Sequence, residues 1–176
     1  MRKLKLQELN RLDVEDYKAS TKIPVVVILD NIRSAMNVGS VFRSSDAFAI
    51  ERIVLIGITA TPPSREITKT AIGATSSVDC THVDGITDTL LQLKKDGYMI
   101  ASIEQTDSSV SLLDWDIKPD HKLVIVMGNE VDGVSDEALA LSDVAIEIPQ
   151  YGTKHSLNVS VCTGVVLWEV SRKLRG

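Results

Sequence analysis

Three polar segments, each directly after an apolar run, hold the side chains capable of chemistry. In residues 30–43, Asn37 is placed to cap a helix, and Arg43 falls on the side of that helix away from Val38, Val41, Phe42, Ser45 and Ala49. The helical neighbours of Arg43 are the small residues Gly39, Ser40 and Ala47. Its guanidinium therefore stands over a floor open to a bulky anionic ligand, with Asp46 three residues on to orient it. The same spacing equally describes a surface Arg–Asp pair worth under about 1 kcal/mol. In residues 127–134, Gly128 and Gly133 flank Asn129 and Glu130. Glycine permits close backbone approach to a ligand, and Glu130 can orient a cation, although Gly and Asn also suit a plain tight turn. In residues 148–161, Ser156 and Asn158 stand at a helix start, where free N–H groups attract anions. Lys154 and His155 beside them add positive potential, and capping alone would also explain Ser156 and Asn158.

The elements that must carry these segments follow from patterning. Residues 24–29, 52–57 and 122–127 are continuous apolar runs, the mark of strands buried on both faces. Residues 80–83, 98–103 and 144–148 are further strands. Helices are expected over 38–50, 66–72, 86–95, 135–141 and 156–174, with glycines 73 and 97 as stops. Ser135 reads as an N-cap followed by acids suited to a first turn. Residues 109–116 read as irregular, with Trp115 on a surface groove. About six strands and six helices in strict alternation predict a three-layer α/β/α domain with a mostly parallel sheet, spanning residues 23–176. Residues 1–22 form a helical arm, with Leu4, Leu6, Leu9 and Leu12 as its apolar side. In such sheets, sites form beyond the carboxyl ends of the strands, which is where all three polar segments lie.

Bulk properties narrow the function. At 176 residues and 44% hydrophobic the chain suits one domain with a real core. The net charge of −5 argues against a nonspecific polyanion binder. Residues 1–75 carry 11 Lys/Arg against 8 Asp/Glu, however, so a nucleic-acid surface would use that half. No glycine fingerprint for dinucleotides, no P-loop and no nucleophile elbow is present. His82, His121 and His155 are scattered, so no metal site is expected, and Cys80 and Cys162 read as plain core residues. The absence of a leader or membrane span in the sequence points to a cytoplasmic protein.

The ordered segments Asn37-x-Gly39-x-x-x-Arg43, Gly128-Asn129-Glu130-x-x-Gly133 and Ile148-Pro149 followed by Ser156-Leu157-Asn158-Val159-Ser160 resemble the three motifs of the SpoU (TrmH-like) class of RNA ribose 2′-O-methyltransferases, in the SPOUT superfamily. The likeness covers residues 23–172. It implies a C-terminal deep trefoil knot, S-adenosylmethionine bound in that knot, and a homodimer. By matching motifs it implies a donor pocket lined by Glu104, Gly128, Glu130, Ile148, Gln150 and Leu157. It implies catalytic work by Arg43 foremost, supported by Asn37, Glu130, Ser156 and Asn158. Arg33, Arg43, Lys154 and His155 are the cations expected to meet RNA. Many relatives carry Met where this chain has Gln150; together with Glu104-Gln105-Thr106 this looks closer to members that methylate a guanosine ribose in tRNA than to those acting on rRNA. The chain shows no separate RNA-binding domain ahead of residue 23.

The resemblance implies attack of a ribose 2′-oxygen on the donor methyl, with no metal and no covalent intermediate. Arginine is a poor general base, with a pKa above about 12, so Arg43 is expected to fork an adjacent phosphate while Glu130 orients it. Two other readings compete: a catalytically silent RNA-binding or ribosome-assembly factor, and an α/β metabolic enzyme acting on a nucleotide.

Overall fold

Strand β1 (Ile23–Asp30) fixes the architecture. Val25, Val27 and Leu29 join one apolar cluster and Val26 and Ile28 another, and all five are fully buried. A strand buried on both faces needs a layer of helices on each side. The computed structural model describes residues 1–176, the Leu6 side chain excepted. β1 is followed by β2 (Ile50–Ile56), β3 (Cys80–Val83), β4 (Tyr98–Ile103), β5 (Val110–Ser111), β6 (Lys122–Met127) and β7 (Val144–Glu147). Every pairing among them is parallel, in the order β3-β2-β1-β6-β4-β7-β5.

One face of the sheet is covered by α2 (Ala35–Phe48), α3 (Arg65–Ala71) and α6 (Val159–Arg175), through Phe42, Ile67, Val166 and Val170. The other is covered by α4 (Thr87–Lys95) and α5 (Asp136–Leu141), through Leu90, Leu93 and Ala138. The three-layer α/β/α expectation holds. Strict alternation does not, because β5 follows β4 with no helix between and adds a seventh strand. From β1 the chain builds outward to β2 and β3; it then crosses to β4 and the far edge strand β5, returns to β6 beside β1, and leaves β6 away from β1 to reach β7. The strand order therefore reverses between β1 and β6, and the crevice at such a reversal is where α/β proteins bind ligands.

Several boundaries differ from the sequence reading. α2 begins at Ala35 rather than at residue 38, and its cap is Ser34, whose hydroxyl accepts from Asn37 N–H. Asn37 lies inside the first turn, which leaves its amide free for other work. α6 begins at Val159 with Asn158 as cap, so Ser156 stays in the preceding loop. Trp115 is buried in the core rather than on a groove. Ser135 precedes α5 without a side-chain capping bond; its N–H instead donates to Asp30 at 2.9 Å. The arm holds a 3-10 turn at Leu6–Leu9 and α1 (Val14–Ala19), but Leu4, Leu9 and Leu12 are exposed and Tyr17 is its buried anchor. The expectation for the Leu6 side chain lies outside the described residues.

Candidate active site

Glu130 organises the crevice. The loop that presents it closes on itself: Asn129 N–H donates to Gly133 O at 2.8 Å, and Gly133 N–H returns to Asn129 O at 3.0 Å. Gly133 has φ +75°, and a Cβ on Gly128 would lie 2.2 Å from the backbone of Gly133 and Val134. Both glycines are thus required by the turn itself. The Asn129 amide pins the loop to β1's end, donating to Asn31 O at 2.7 Å.

So held, the Glu130 carboxylate accepts three hydrogen bonds at the start of α2, from Arg33 N–H (2.8 Å), Ser34 N–H (3.1 Å) and Asn37 Nδ2 (2.9 Å). Partial burial opposes its ionisation. The donors from Arg33, Asn37 and Ser34 outweigh that and hold the carboxyl below the usual range. Asn37 Oδ1 in turn accepts from Asn158 Nδ2 at 3.1 Å, while Asn158 Oδ1 caps α6 through Ser160 N–H at 3.0 Å. One chain of side chains, Glu130–Asn37–Asn158, therefore joins all three polar segments singled out by sequence.

Beside this relay, at the ends of β4, β6 and β7, opens a cavity of about 570 Å³. Its volume lies within the range of small-molecule sites. The loop after β7 crosses in front of β4, where Gln105 Nε2 donates to His155 O at 3.0 Å. Met127, Ile148, Leu157 and Val159 supply apolar walls. Five carboxylates line it (Glu104, Glu130, Asp132, Asp136 and Glu147), and no Lys or Arg does. Glu104 is committed to the frame, accepting from Val134 N–H at 2.9 Å and Gln105 N–H at 2.8 Å. A ligand with an apolar body and a positive charge suits such walls. Cys162 also lines the cavity. Burial, with the charge of Glu104, pushes its thiol up to about 11, so it stays protonated and unreactive at neutral pH.

The expected donor-side residues Glu104, Gly128, Glu130, Ile148, Gln150 and Leu157 all line this one cavity, as do Ser156 and Asn158. Asn37 and Arg33 line a neighbouring depression with Ser34, Glu130 and Val131. Lys154 and His155 are exposed on the crossing loop. Arg43 is not brought to the cavity within the chain. It is exposed on α2, six residues or about 9 Å along the helix from Asn37. Neither expected partner orients it: Asp46 accepts from the Ser77 hydroxyl, and Glu130 is occupied as described. The small-residue floor is open only in part, because Gly39 is packed against Ile67 and Thr70 of α3 while Ala47 is exposed. Sequence reasoning missed Asp132, Asp136, Glu147 and Cys162 as lining residues. Residues 76–176 carry 8 Lys/Arg against 16 Asp/Glu, and that excess was the only signal for the three acids; Cys162 gave none. No cluster of potential metal ligands occurs among the described residues, and no helix is long and apolar enough to cross a membrane.

The profile of the SpoU rRNA Methylase family matches residues 24–168. The 23S rRNA (guanosine-2′-O-)-methyltransferase RlmB of Vibrio vulnificus is 30% identical over 167 residues, covering 95% of this chain and 66% of that protein. The chain spans between 63% and 66% of the length of three curated relatives it matches. Among solved structures, the A. aeolicus TrmH/SpoU tRNA modifying enzyme superposes with a TM-score of 0.81 at 27% identity, over 92% of this chain and 82% of that one. The AdoMet-bound rRNA methyltransferase of Sinorhizobium meliloti superposes with a TM-score of 0.78 at 28% identity, over 85% and 56%.

Proposed function

The chain belongs to the SpoU rRNA methylase family, and from that premise we propose that it transfers a methyl group from S-adenosylmethionine to a ribose 2′-hydroxyl of structured RNA, with tRNA preferred over rRNA. The observation that carries this reading is the convergence of all three motif loops on one cavity through the Glu130–Asn37–Asn158 relay. A turn or cap that served only stability would not need three distant loops to share one set of side-chain bonds.

The residues present fit the donor. The apolar walls at Ile148 and Leu157 suit an adenosyl group, and the acid lining without a cation suits a sulfonium. Bound there, S-adenosylmethionine supplies an electrophilic methyl group to the incoming oxygen. Gly128, Ile148, Gln150 and Leu157 would hold it, with Glu104 fixing the wall. Ser156 and Asn158 stand on the open side and would position the ribose. Arg43 would grip the adjacent phosphate by a fork and steady negative charge growing on the 2′-oxygen. Glu130 holds the start of α2 rather than Arg43 itself, so its part is to position the helix that carries the arginine.

Because Arg43 stands outside the cavity of its own chain, the reading includes a homodimer in which it serves the partner's cavity. α6 offers a surface for that contact: Val161, Val165 and Trp168 are 55%, 40% and 62% exposed at helical spacing. The trefoil knot and a cytoplasmic setting complete the proposal. The test is to incubate the protein with methyl-labelled S-adenosylmethionine and RNA, digest to nucleosides and separate them. Label in 2′-O-methylnucleosides is expected. Label confined to bases contradicts the ribose assignment, and no transfer to tRNA or rRNA favours a silent RNA-binding protein.

A further inference from the structure

The proposed reaction uses Arg43 on α2, and Arg33, Lys154 and His155 are further cations expected to meet RNA, but two more stand on α3 with no role assigned. Arg65 and Lys69 are both exposed, four residues apart and hence on one helical face. The opposite face holds Ile67 and Ala71, which are buried, so both cations are directed to solvent. Neither has an ion pair or side-chain hydrogen bond among the described residues. Elsewhere, Arg2, Arg52, Lys94, Arg172 and Lys173 are paired with carboxylates, while Lys95, Lys118 and Lys154 are exposed without such a pair among the described residues. Glu66 is the only acid in α3.

The seating of α3 on α2 connects these cations to Arg43. Gly39 has no side chain, and α3 fills the space: a Cβ there would lie 2.1 Å from Thr70 Oγ1 and 2.4 Å from Ile67 O. Thr70 Oγ1 donates to Met36 O at 2.9 Å, and the Ser77 hydroxyl donates to Asp46. These two contacts bracket Arg43, so residues 70–77 run alongside the stretch of α2 that carries it, and the segment holding Arg65 and Lys69 continues from there at the Met36–Gly39 end of α2. Arg43, Arg65 and Lys69 thus stand unpaired on two clamped helices, with Arg33 unpaired in the loop just before α2, on a chain whose net charge is −5. Four free cations gathered on an otherwise acidic protein form a footprint for a polyanion.

We propose that Arg65 and Lys69 of α3 are RNA-backbone contacts that dock the substrate beside Arg43, making the α2–α3 pair one RNA-tracking surface. This rests on the RNA methyltransferase reading above. As phosphate contacts they position the substrate and carry no base information, and they act on binding rather than on the methyl transfer step.

The test compares the intact protein, the Arg65→Gln/Lys69→Gln double variant and a Lys95→Gln control on the opposite layer. Bulk tRNA from cells lacking the gene is the probe. The double variant is expected to raise KM for RNA about tenfold and to flatten the dependence of log KM on log salt by about 1.4–1.8, two phosphate contacts' worth between the single-stranded and duplex limits. Its kcat at saturating RNA, donor affinity and sedimentation are expected to match the parent and the control. An unchanged KM and salt slope would overturn the proposal. So would a fall in kcat with KM preserved. A loss of dimer in the double variant would assign the face to subunit contact instead. Failure of the parent itself to bind S-adenosylmethionine or methylate RNA would sink the underlying reading, an outcome distinct from all of these.

Discussion

The hydrogen-bond geometry around Glu130 makes a definite claim about pH. Its carboxyl is held below the usual range by Arg33 N–H, Asn37 and Ser34 N–H despite partial burial. A lowered folded value means that the stabilisation is present above the unfolded value of about 4.3 and fades as pH falls through the folded value. The Glu130→Gln variant is expected to melt below the parent by a constant margin above about pH 5, with the margin narrowing toward pH 3. A margin that stays fixed to pH 3 would show that charge is not what holds the loop. The cavity's acids make a second claim. Asp132, Asp136 and Glu147 make no side-chain bond among the described residues, so their charge is available to a ligand. Neutralising all three to amides is expected to weaken S-adenosylmethionine several-fold, by calorimetry, and to leave S-adenosylhomocysteine, which lacks the sulfonium charge, nearly unchanged. Equal losses for both would point to shape rather than charge. At this scale the sequence was informative about residue types and less so about partners. Asn158 could be read as a cap from its position alone. Asn37 could not be read correctly, because Ser34 three residues earlier caps equally well, and only the approach of Glu130 and Asn158 decides which side chain is free.

Among the elements, the α2–α3 contact is the least legible and the most consequential. A helical wheel for α2 separates a buried face from an open one, and Val38, Val41, Phe42 and Ser45 are indeed buried. It cannot see a second helix arriving on the other side, and so Gly39 looks like open floor. The sign of Gly39→Ala tests the difference. By helix propensity alone, alanine would stabilise the middle of α2 by about 1 kcal/mol. The structure puts the new Cβ 2.4 Å from the Ile67 carbonyl, a backbone atom, and overpacking of that kind costs about 1–3 kcal/mol. A lower melting temperature is therefore expected, and a higher one would refute the close seating of α3. The strands, by contrast, were readable almost residue by residue. Burial on both faces of β1 and β6 leaves continuous Val/Ile/Leu runs that no helix of this amphipathic chain repeats. β5 escaped because two residues carry no period, and Trp115 because a single aromatic in an irregular stretch gives no sign of which side it packs on.

At the level of the whole molecule, the order of strands places the polar segments together, and this was foreseeable once the sheet was read as parallel. What no single-chain reading delivers is the position of Arg43 relative to a cavity it does not reach. The α6 surface offers the way to ask. Glutamate at Val165 and Trp168 is expected to shift sedimentation from dimer to monomer and to abolish methyl transfer while each chain still binds the donor. A monomer with full activity would mean that Arg43 serves its own chain after a rearrangement.

The central claim is that donor binding and catalysis reside in different parts of the protein, the cavity at the ends of β4, β6 and β7 and the exposed arginine of α2. One paired measurement on Arg43→Ala tests it: calorimetric affinity for S-adenosylmethionine alongside methyl transfer to RNA. The account predicts parental affinity with transfer lost. Weakened donor binding in step with the lost transfer, or transfer that survives the substitution, would contradict it.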